Sequence, residues 1–172
     1  MRAPNLNHSA TAYHLAWDAL RNGAMLPHTS EFLARGPYRM MKDTFILESV
    51  PQRQLVRFMG TSLVNAWCAD LTDKCFLDAV QPAYRNDARV FFVDADRTPA
   101  GAALSVKALT IKRLTIDIDL LVLPLAVDDG KPARQAVYAR LPELSFDDLI
   151  HSIQWSARPQ WIDLGSGTPE RR

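Results

Sequence analysis

The chain has 172 residues, of which 48% are hydrophobic and 23% are charged, and its formal net charge is +1. This composition is typical of a globular protein, and the length suits one domain without a separate catalytic module. A net charge so close to zero gives no reason to expect a nucleic-acid partner. No apolar run approaches the ~20 residues that span a bilayer, and the N-terminus lacks the hydrophobic region of a secretion signal. We therefore expect a cytoplasmic protein with no membrane partner.

An amphipathic helix is predicted near the N-terminus. Tyr13, Trp17 and Leu20 recur at helical spacing, and Gly23 is a typical residue to follow a helix. We expect a flexible N-terminus over residues 1–8, followed over residues 9–43 by this helix and a connection.

The next part of the chain changes from strands to helices. Runs at 44–48 and 55–59 are rich in β-branched and aromatic residues and predict a hairpin. After Gly60 the apolar residues follow a helical period as far as the boundary near Pro99. Several helices are therefore expected between the second and third strands.

Apolar and polar residues alternate most clearly between Leu114 and Val122, which predicts a long antiparallel strand. Runs at 102–109 and 134–141 flank it and complete a three-stranded meander. The fold class is therefore α+β, with a five-stranded antiparallel sheet and helices inserted between strands 2 and 3. We place the folded core at residues 44–141.

The C-terminal part is expected to contain one more helix. Ser145 and Asp148 have the spacing of a capping box, and the apolar residues that follow extend to Ile153. We therefore predict a C-terminal helix with a packed extension over residues 142–164. A disordered tail is expected over residues 165–172 because its composition is rich in Gly, Ser and Pro.

Three short motifs occur in the order known from one protein family. They are Trp-x-x-Leu-Arg-x-Gly followed by Pro, an aromatic-x-Gly-Thr followed by Asp-Leu-Thr, and Leu-Pro-Leu followed by Asp-Asp-Gly. The matching residues are Trp17, Leu20, Arg21, Gly23, Pro27, Phe58, Gly60, Thr61, Asp70, Leu71, Thr72, Leu123, Pro124, Leu125, Asp128, Asp129 and Gly130. The chain thus resembles the short stand-alone PAS proteins of alphaproteobacteria over residues 10–141. The resemblance implies a PAS fold, with a sheet and helices around a small cavity, and a sensory or regulatory role in signal transduction without catalysis.

The cofactor of such a PAS protein stays unknown, and haem and flavin are both disfavoured. A haem-binding PAS protein supplies a histidine from the helix before the third strand, whereas no histidine lies between His28 and His151. A photosensory flavin domain needs a reactive cysteine in an Asn-Cys-Arg-Phe motif, which neither Cys68 nor Cys75 provides. Both cysteines suit helix packing, and a redox-sensor role stays open for them. The scattered histidines predict no metal site.

Asp117 and Asp119 lie two residues apart on one strand face, where carboxylates can bind a cation. We instead expect a solvated face on which Lys107, Lys112 or Arg113 balances their charge across the hairpin.

The outer face of the long strand becomes apolar toward its end, so another element should cover it. The N-terminal helix can do so from its own chain or from a second protomer. By resemblance to PAS proteins, whose N-terminal helices often pack in dimers, we predict a homodimer. Its interface residues are Tyr13, Trp17, Leu20, Leu121, Leu123 and Leu125.

Residues that face inward in the predicted pattern line the expected cavity, which would admit a small apolar or aromatic ligand. They are Phe58, Tyr84, Phe91, Ile116, Ile118, Leu120 and Tyr138. The same side chains also suit plain core packing. A ligand-free adaptor with a filled core, which recruits a signalling partner, is therefore the main alternative. An enzyme whose residues meet only in space is a third.

Overall fold

The computed structural model describes residues 6–145, 148–156 and 158–169. Its helices are α1 (His8–Ala19), α2 (Thr29–Arg35), α3 (Thr61–Trp67) and α4 (Arg85–Arg97). Short 3₁₀ helices lie at Tyr38–Asp43, Phe76–Ala79 and Pro82–Tyr84. Its strands are β1 (Thr44–Val50), β2 (Arg53–Met59), β3 (Gly101–Thr110), β4 (Thr115–Leu125), β5 (Arg134–Arg140), β6 (Ile150–Gln154) and β7 (Gln160–Ile162).

Within the described residues, seven strands form one sheet in the order β2-β1-β5-β4-β3-β6, and β7 pairs with the other end of β3. All of these neighbours are antiparallel. The helices α3 and α4 lie between β2 and β3 in the chain. The α+β class, the antiparallel sheet and the inserted helices are therefore confirmed, and the sheet contains β6 and β7 in addition to the five strands expected.

One face of the sheet, here called the inner face, packs against α3 and α4. In α4 the buried residues Ala88, Phe91, Phe92 and Ala95 follow the spacing of one helical face. They belong to the same core as the inward residues of β1, β4 and β5 and as Trp155 beyond β6. The C-terminal strands therefore contribute to the main core.

The opposite face, here called the outer face, is covered by α1. Asn7 caps this helix, since its side chain accepts a hydrogen bond from the amide of Ala10 at 2.9 Å. Ala10, Tyr13 and Trp17 are buried on one side of α1. They form a second core with Leu121, Leu123 and Leu125 of β4. The apolar end of β4 is thus covered by a helix of its own chain.

The predicted C-terminal helix is wrong, because residues 150–154 form the strand β6. Ser145 and Asp148 do interact, but through their side chains and a turn rather than at a helix start. The apolar spacing was misleading because the register between β3 and β6 shifts at Leu109 and Thr110. A bulge interrupts the two-residue alternation of a strand, so Ile150 and Ile153 are both buried although they lie three residues apart.

Some predictions concern residues outside the described ranges. They are residues 1–5 of the predicted flexible N-terminus, residues 146–147 of the predicted helix, residue 157 of the predicted packed extension and residues 170–172 of the predicted tail. Among the described residues, no helix is both long and apolar enough to cross a bilayer.

Candidate functional site

The space between the inner face and the helices is occupied by aromatic side chains. The ring centroids of Phe91 and Phe92 lie 5.1 Å apart, and those of Phe92 and Trp155 lie 5.5 Å apart. Phe76 lies 6.0 Å from Phe92 and 6.3 Å from Trp155 in edge-on arrangements. These are separations of rings in direct contact. We call Phe76, Phe91, Phe92 and Trp155 the interior ring cluster.

The structure does not bring the seven predicted cavity residues together. Tyr84, Phe91, Ile116, Ile118 and Leu120 belong to the inner core or pack against it. Phe58 and Tyr138 belong to the core of the outer face. Because a sheet separates the two groups, one cavity cannot be lined by all seven.

The placement of Phe58 has a local cause. Val56 faces inward, so strict alternation would also place Phe58 inward. The pairing of β1 with β2 shifts register between Ile46 and Leu47, so that Phe58 pairs with Ile46 on the outer side. Such a bulge leaves no clear signal in a single sequence.

Tyr138 lies in β5 between the inward residues Val137 and Ala139, so its side chain is on the outer face. Its ring stacks on Tyr13 at 4.8 Å. The Tyr13 hydroxyl accepts a hydrogen bond from Thr44 Oγ1 at 3.2 Å. Burial raises the pKa of Tyr13, so this phenol stays neutral. Tyr13, Thr44 and Tyr138 thus position the middle of α1.

The residues predicted for a dimer interface meet within one chain. Trp17 is fully buried, and its Nε1 donates to the carbonyl oxygen of Pro124 at 3.0 Å. Tyr13 and the three leucines of β4 are also buried, whereas Leu20 is half-buried. Buried side chains cannot contact a second copy while α1 stays in place. The predicted interface therefore stays a prediction and requires that α1 be exchanged between protomers.

A buried ion-pair network lies toward the end of β1. Glu48 accepts hydrogen bonds from Arg57 at 2.9 and 2.6 Å and from Arg134 at 2.9 and 2.7 Å. Arg57 also contacts Asp73 at 2.7 Å. Burial raises the pKa of Glu48, but the hydrogen bonds and charges of the two arginines lower it by more, so this pKa lies below its ordinary value. This network stabilises the fold rather than offering a free binding group.

A second polar cluster lies under the end of α4. Gln135 Nε2 donates to Asp96 Oδ1 at 2.5 Å, and the buried Oε1 of Gln135 has no partner within the described part of the chain. Burial raises the pKa of Asp96 above its ordinary value, although hydrogen bonds from Ser49 and Gln135 act in the other direction. No sequence pattern predicts this cluster, since its members come from three separate elements.

A cleft of about 1030 Å³ lies between α3 and the segment that follows β5. Gly60, directly before α3, approaches the carbonyl oxygens of Met41 and Lys42 so closely that a Cβ would overlap them. This approach places Lys42 and Asp43 beside α3 at one wall of the cleft. The cleft has no signal in the sequence, because no periodicity connects its walls. A smaller cavity of about 220 Å³ lies near the start of α1.

The two cysteines differ in exposure. Cys68 is an exposed free thiol at the C-terminal end of α3, where its φ is 48°, and it lines the cleft. Cys75 is a buried free thiol.

The predicted charge balance across the hairpin is confirmed, because Lys107 contacts Asp117 at 3.1 Å. Asp119 contacts Arg140 of β5 at 3.6 Å. Within the described ranges, no group of three or more His, Cys, Asp or Glu side chains is arranged to hold a metal ion.

The order of the elements and the sheet, which is covered on both faces, define an α+β domain in which helices are inserted between two strands of an antiparallel sheet. Residues 6–136 match a family model described as the PAS domain, and the chain belongs to this family. PAS domains are generally sensory or regulatory modules without catalytic activity. A search of curated proteins finds no match.

Proposed function

We propose that this protein is a non-catalytic regulatory PAS module that acts by binding a signalling protein, and that its interior holds no ligand. The interior ring cluster is the observation that supports this choice between the two expectations from the sequence. Phe91 also stacks on Trp161 at 5.3 Å, so its ring has neighbours on several sides. A ligand ring could enter only if one of these side chains moved.

An apolar probe tests the packed interior. We expect benzene to leave the melting temperature of the wild-type protein unchanged and to raise that of Phe91→Ala, because truncating a ring opens a cavity that benzene can fill. Val90→Ala is the matched control, since Val90 is the exposed neighbour on the same helix. Benzene binding by the wild-type interior, seen as NMR shifts at Phe92 and Trp155, would contradict the proposal.

We propose that the output leaves through α1 and the outer face. Leu15 on α1 is 62% exposed, which makes it a suitable position for a photo-crosslinking amino acid. In cells we expect crosslinks from position 15 to one signalling protein, and none from the exposed Lys131 in the connection between β4 and β5. Equal capture from both positions, or capture only from position 131, would contradict this output surface.

We further propose a homodimer formed by exchange of α1. The helix is joined to α2 by residues 20–28, and Asn22 and Gly23 in this connection have positive φ. Light scattering should show a dimer that a shorter connection at residues 20–28 strengthens, because such a connection keeps α1 from folding back onto its own sheet and leaves its contacts with the partner's sheet unchanged. Leu15→Ala on the opposite side of α1 should leave the dimer intact. The reverse pattern, in which Leu15→Ala weakens the dimer and the shorter connection does not strengthen it, would indicate a contact between exposed helix faces and would refute exchange.

The cytoplasmic location stays a prediction.

A further inference from the structure

The cleft beside α3 lies outside the interior ring cluster and has the size of a ligand site. Its volume of about 1030 Å³ is at the upper end of the range of small-molecule pockets, roughly 300–1,000 Å³. One wall is formed by Ser62, Asn65 and Ala66 of α3. The other is formed by residues that follow β5, among them Leu141, Pro142 and Ser145.

Apolar side chains line the side of the cleft that adjoins the core. Val64, Leu141 and Leu144 are partly buried and pack against the inner core. Pro142 and Leu149 extend this apolar lining. An apolar group in the cleft would therefore remove both its own surface and these side chains from water.

Acidic groups outnumber basic groups among the described residues that line the cleft. The carboxylates belong to Asp43, Asp70 and Asp148, and the cations to Lys42 and Arg140. Arg140 is engaged by Asp119 on the outer face at 3.6 Å. Asp148 is engaged in turn by Lys112 at 3.7 Å. The remaining charged residues of the lining are Asp43 and Asp70 against Lys42, which leaves one negative charge in excess at an apolar cleft and favours a cationic occupant.

Two of the carboxylates are held in ionised form by their neighbours. The hydrogen bonds from Thr72 to Asp70 Oδ1, at 2.9 Å from the amide and 2.7 Å from the hydroxyl, lower the pKa of Asp70. Hydrogen bonds from Ser145 lower the pKa of Asp148 in the same way, and Lys112 lies 3.7 Å from this carboxylate. The second oxygen of Asp70 stays available for a further hydrogen bond, whereas that of Asp148 faces Lys112.

We propose that this cleft binds a small molecule that carries a primary amine on a compact apolar body. The apolar body lies against Val64, Leu141 and Leu144, and the ammonium group lies near Asp43 and Asp70. This site is separate from the proposed partner surface on α1, so either proposal can fail without the other.

Cys68 provides a direct readout of occupancy, because it is exposed and lines the cleft whereas Cys75 is buried. The test uses 2-phenylethylamine, 2-phenylethanol and 3-phenylpropionate, which share a ring but differ in charge. We expect the amine to slow the reaction of Cys68 with a thiol reagent and to bind about fivefold more tightly than the alcohol. The carboxylate should bind most weakly.

Single variants locate the binding site. Asp43→Asn and Asp70→Asn should each weaken amine binding by about twofold to fivefold, and Ala69→Trp should abolish protection of Cys68 by filling the cleft. Asp129→Asn in the exposed connection after β4 is the matched control and should change nothing. Melting curves confirm that each variant folds, and NMR titration of the Asn variants gives binding without reference to Cys68.

Three outcomes would overturn the proposal. They are equal affinity for all three probes, no binding of the amine up to its solubility limit, and amine binding that Ala69→Trp leaves unchanged in NMR titrations.

Discussion

Glu48 is a buried carboxylate whose two oxygens both face arginines, and its loss should destabilise the fold. Glu48→Gln removes the charge that holds Arg57 and Arg134 side by side. We expect unfolding free energy to fall by about 2–3 kcal/mol, less than the ~3–5 kcal/mol for a fully buried pair, because the arginine side chains stay 35% and 32% exposed. Chemical denaturation at pH 7 measures this loss.

The same change has a defined pH dependence. Because the folded pKa of Glu48 is depressed, its contribution is present above the unfolded pKa of about 4.3 and is lost as pH falls through the folded value. The stabilities of wild type and Glu48→Gln should therefore converge in acid. Asp117→Asn is the control, since its exposed pair with Lys107 contributes at most about 1 kcal/mol. Equal losses of stability in Glu48→Gln and Asp117→Asn would argue against a stabilising role for the network.

The contribution of Asp96 to stability depends on pH in the opposite direction. Its folded pKa is raised by burial, so its contribution is fully present below the unfolded pKa of about 3.9 and is lost as pH rises through the folded value. Asp96→Asn should therefore raise the free energy of unfolding at pH 7 and leave it nearly unchanged at pH 3. Asp94→Asn, on the same helix turn, separates this effect from the loss of one acidic charge at a helix C-terminus. A loss of stability at pH 7 in Asp96→Asn would contradict the argument.

Among the elements, β6 has the sequence of a helix and the structure of a strand. Ile153 is buried, pairs with Ala108 of β3, and accepts a hydrogen bond from the amide of Gln81 through its carbonyl at 2.8 Å. Ile153→Ala should cost about 2–4 kcal/mol by leaving a cavity. His151→Ala, at an exposed position of the same strand, should change stability by less than about 0.5 kcal/mol. Similar effects of both changes in urea denaturation would show that β6 is not part of the core.

The elements also show what a single sequence can predict. The regular alternation of β4 and the helical spacing in α1 and α4 are sufficient to predict these three elements, because each of them keeps one period along its buried side. Phe58 and β6 could not be placed, because a register shift changes which side chains face the core without changing local composition. The cleft was beyond prediction for another reason: its walls meet only after α3 and the end of β5 have packed.

At the scale of the whole molecule, the family match and the folded core differ in extent. The match ends at residue 136, and the sequence pattern predicts a core over residues 44–141. Trp155 is 2% exposed and contacts Phe76, Phe91 and Phe92. The strands β6 and β7 pair with the edge of β3 that does not face β4. The chain beyond residue 141 thus fills the interior and covers a sheet edge.

A truncation tests this dependence. We expect a chain ending at residue 141 to lose its cooperative unfolding transition, since removing one buried Trp side chain alone costs about 3–5 kcal/mol of a total near 5–15 kcal/mol. The exposed edge of β3 should also promote aggregation. A chain ending at residue 169, which keeps Trp155 and both strands, should unfold like the full chain. If the shorter chain instead gave a sharp melting transition within a few degrees of the full chain, β6 and β7 would be accessory elements. The interior would then have room for a ligand after their removal.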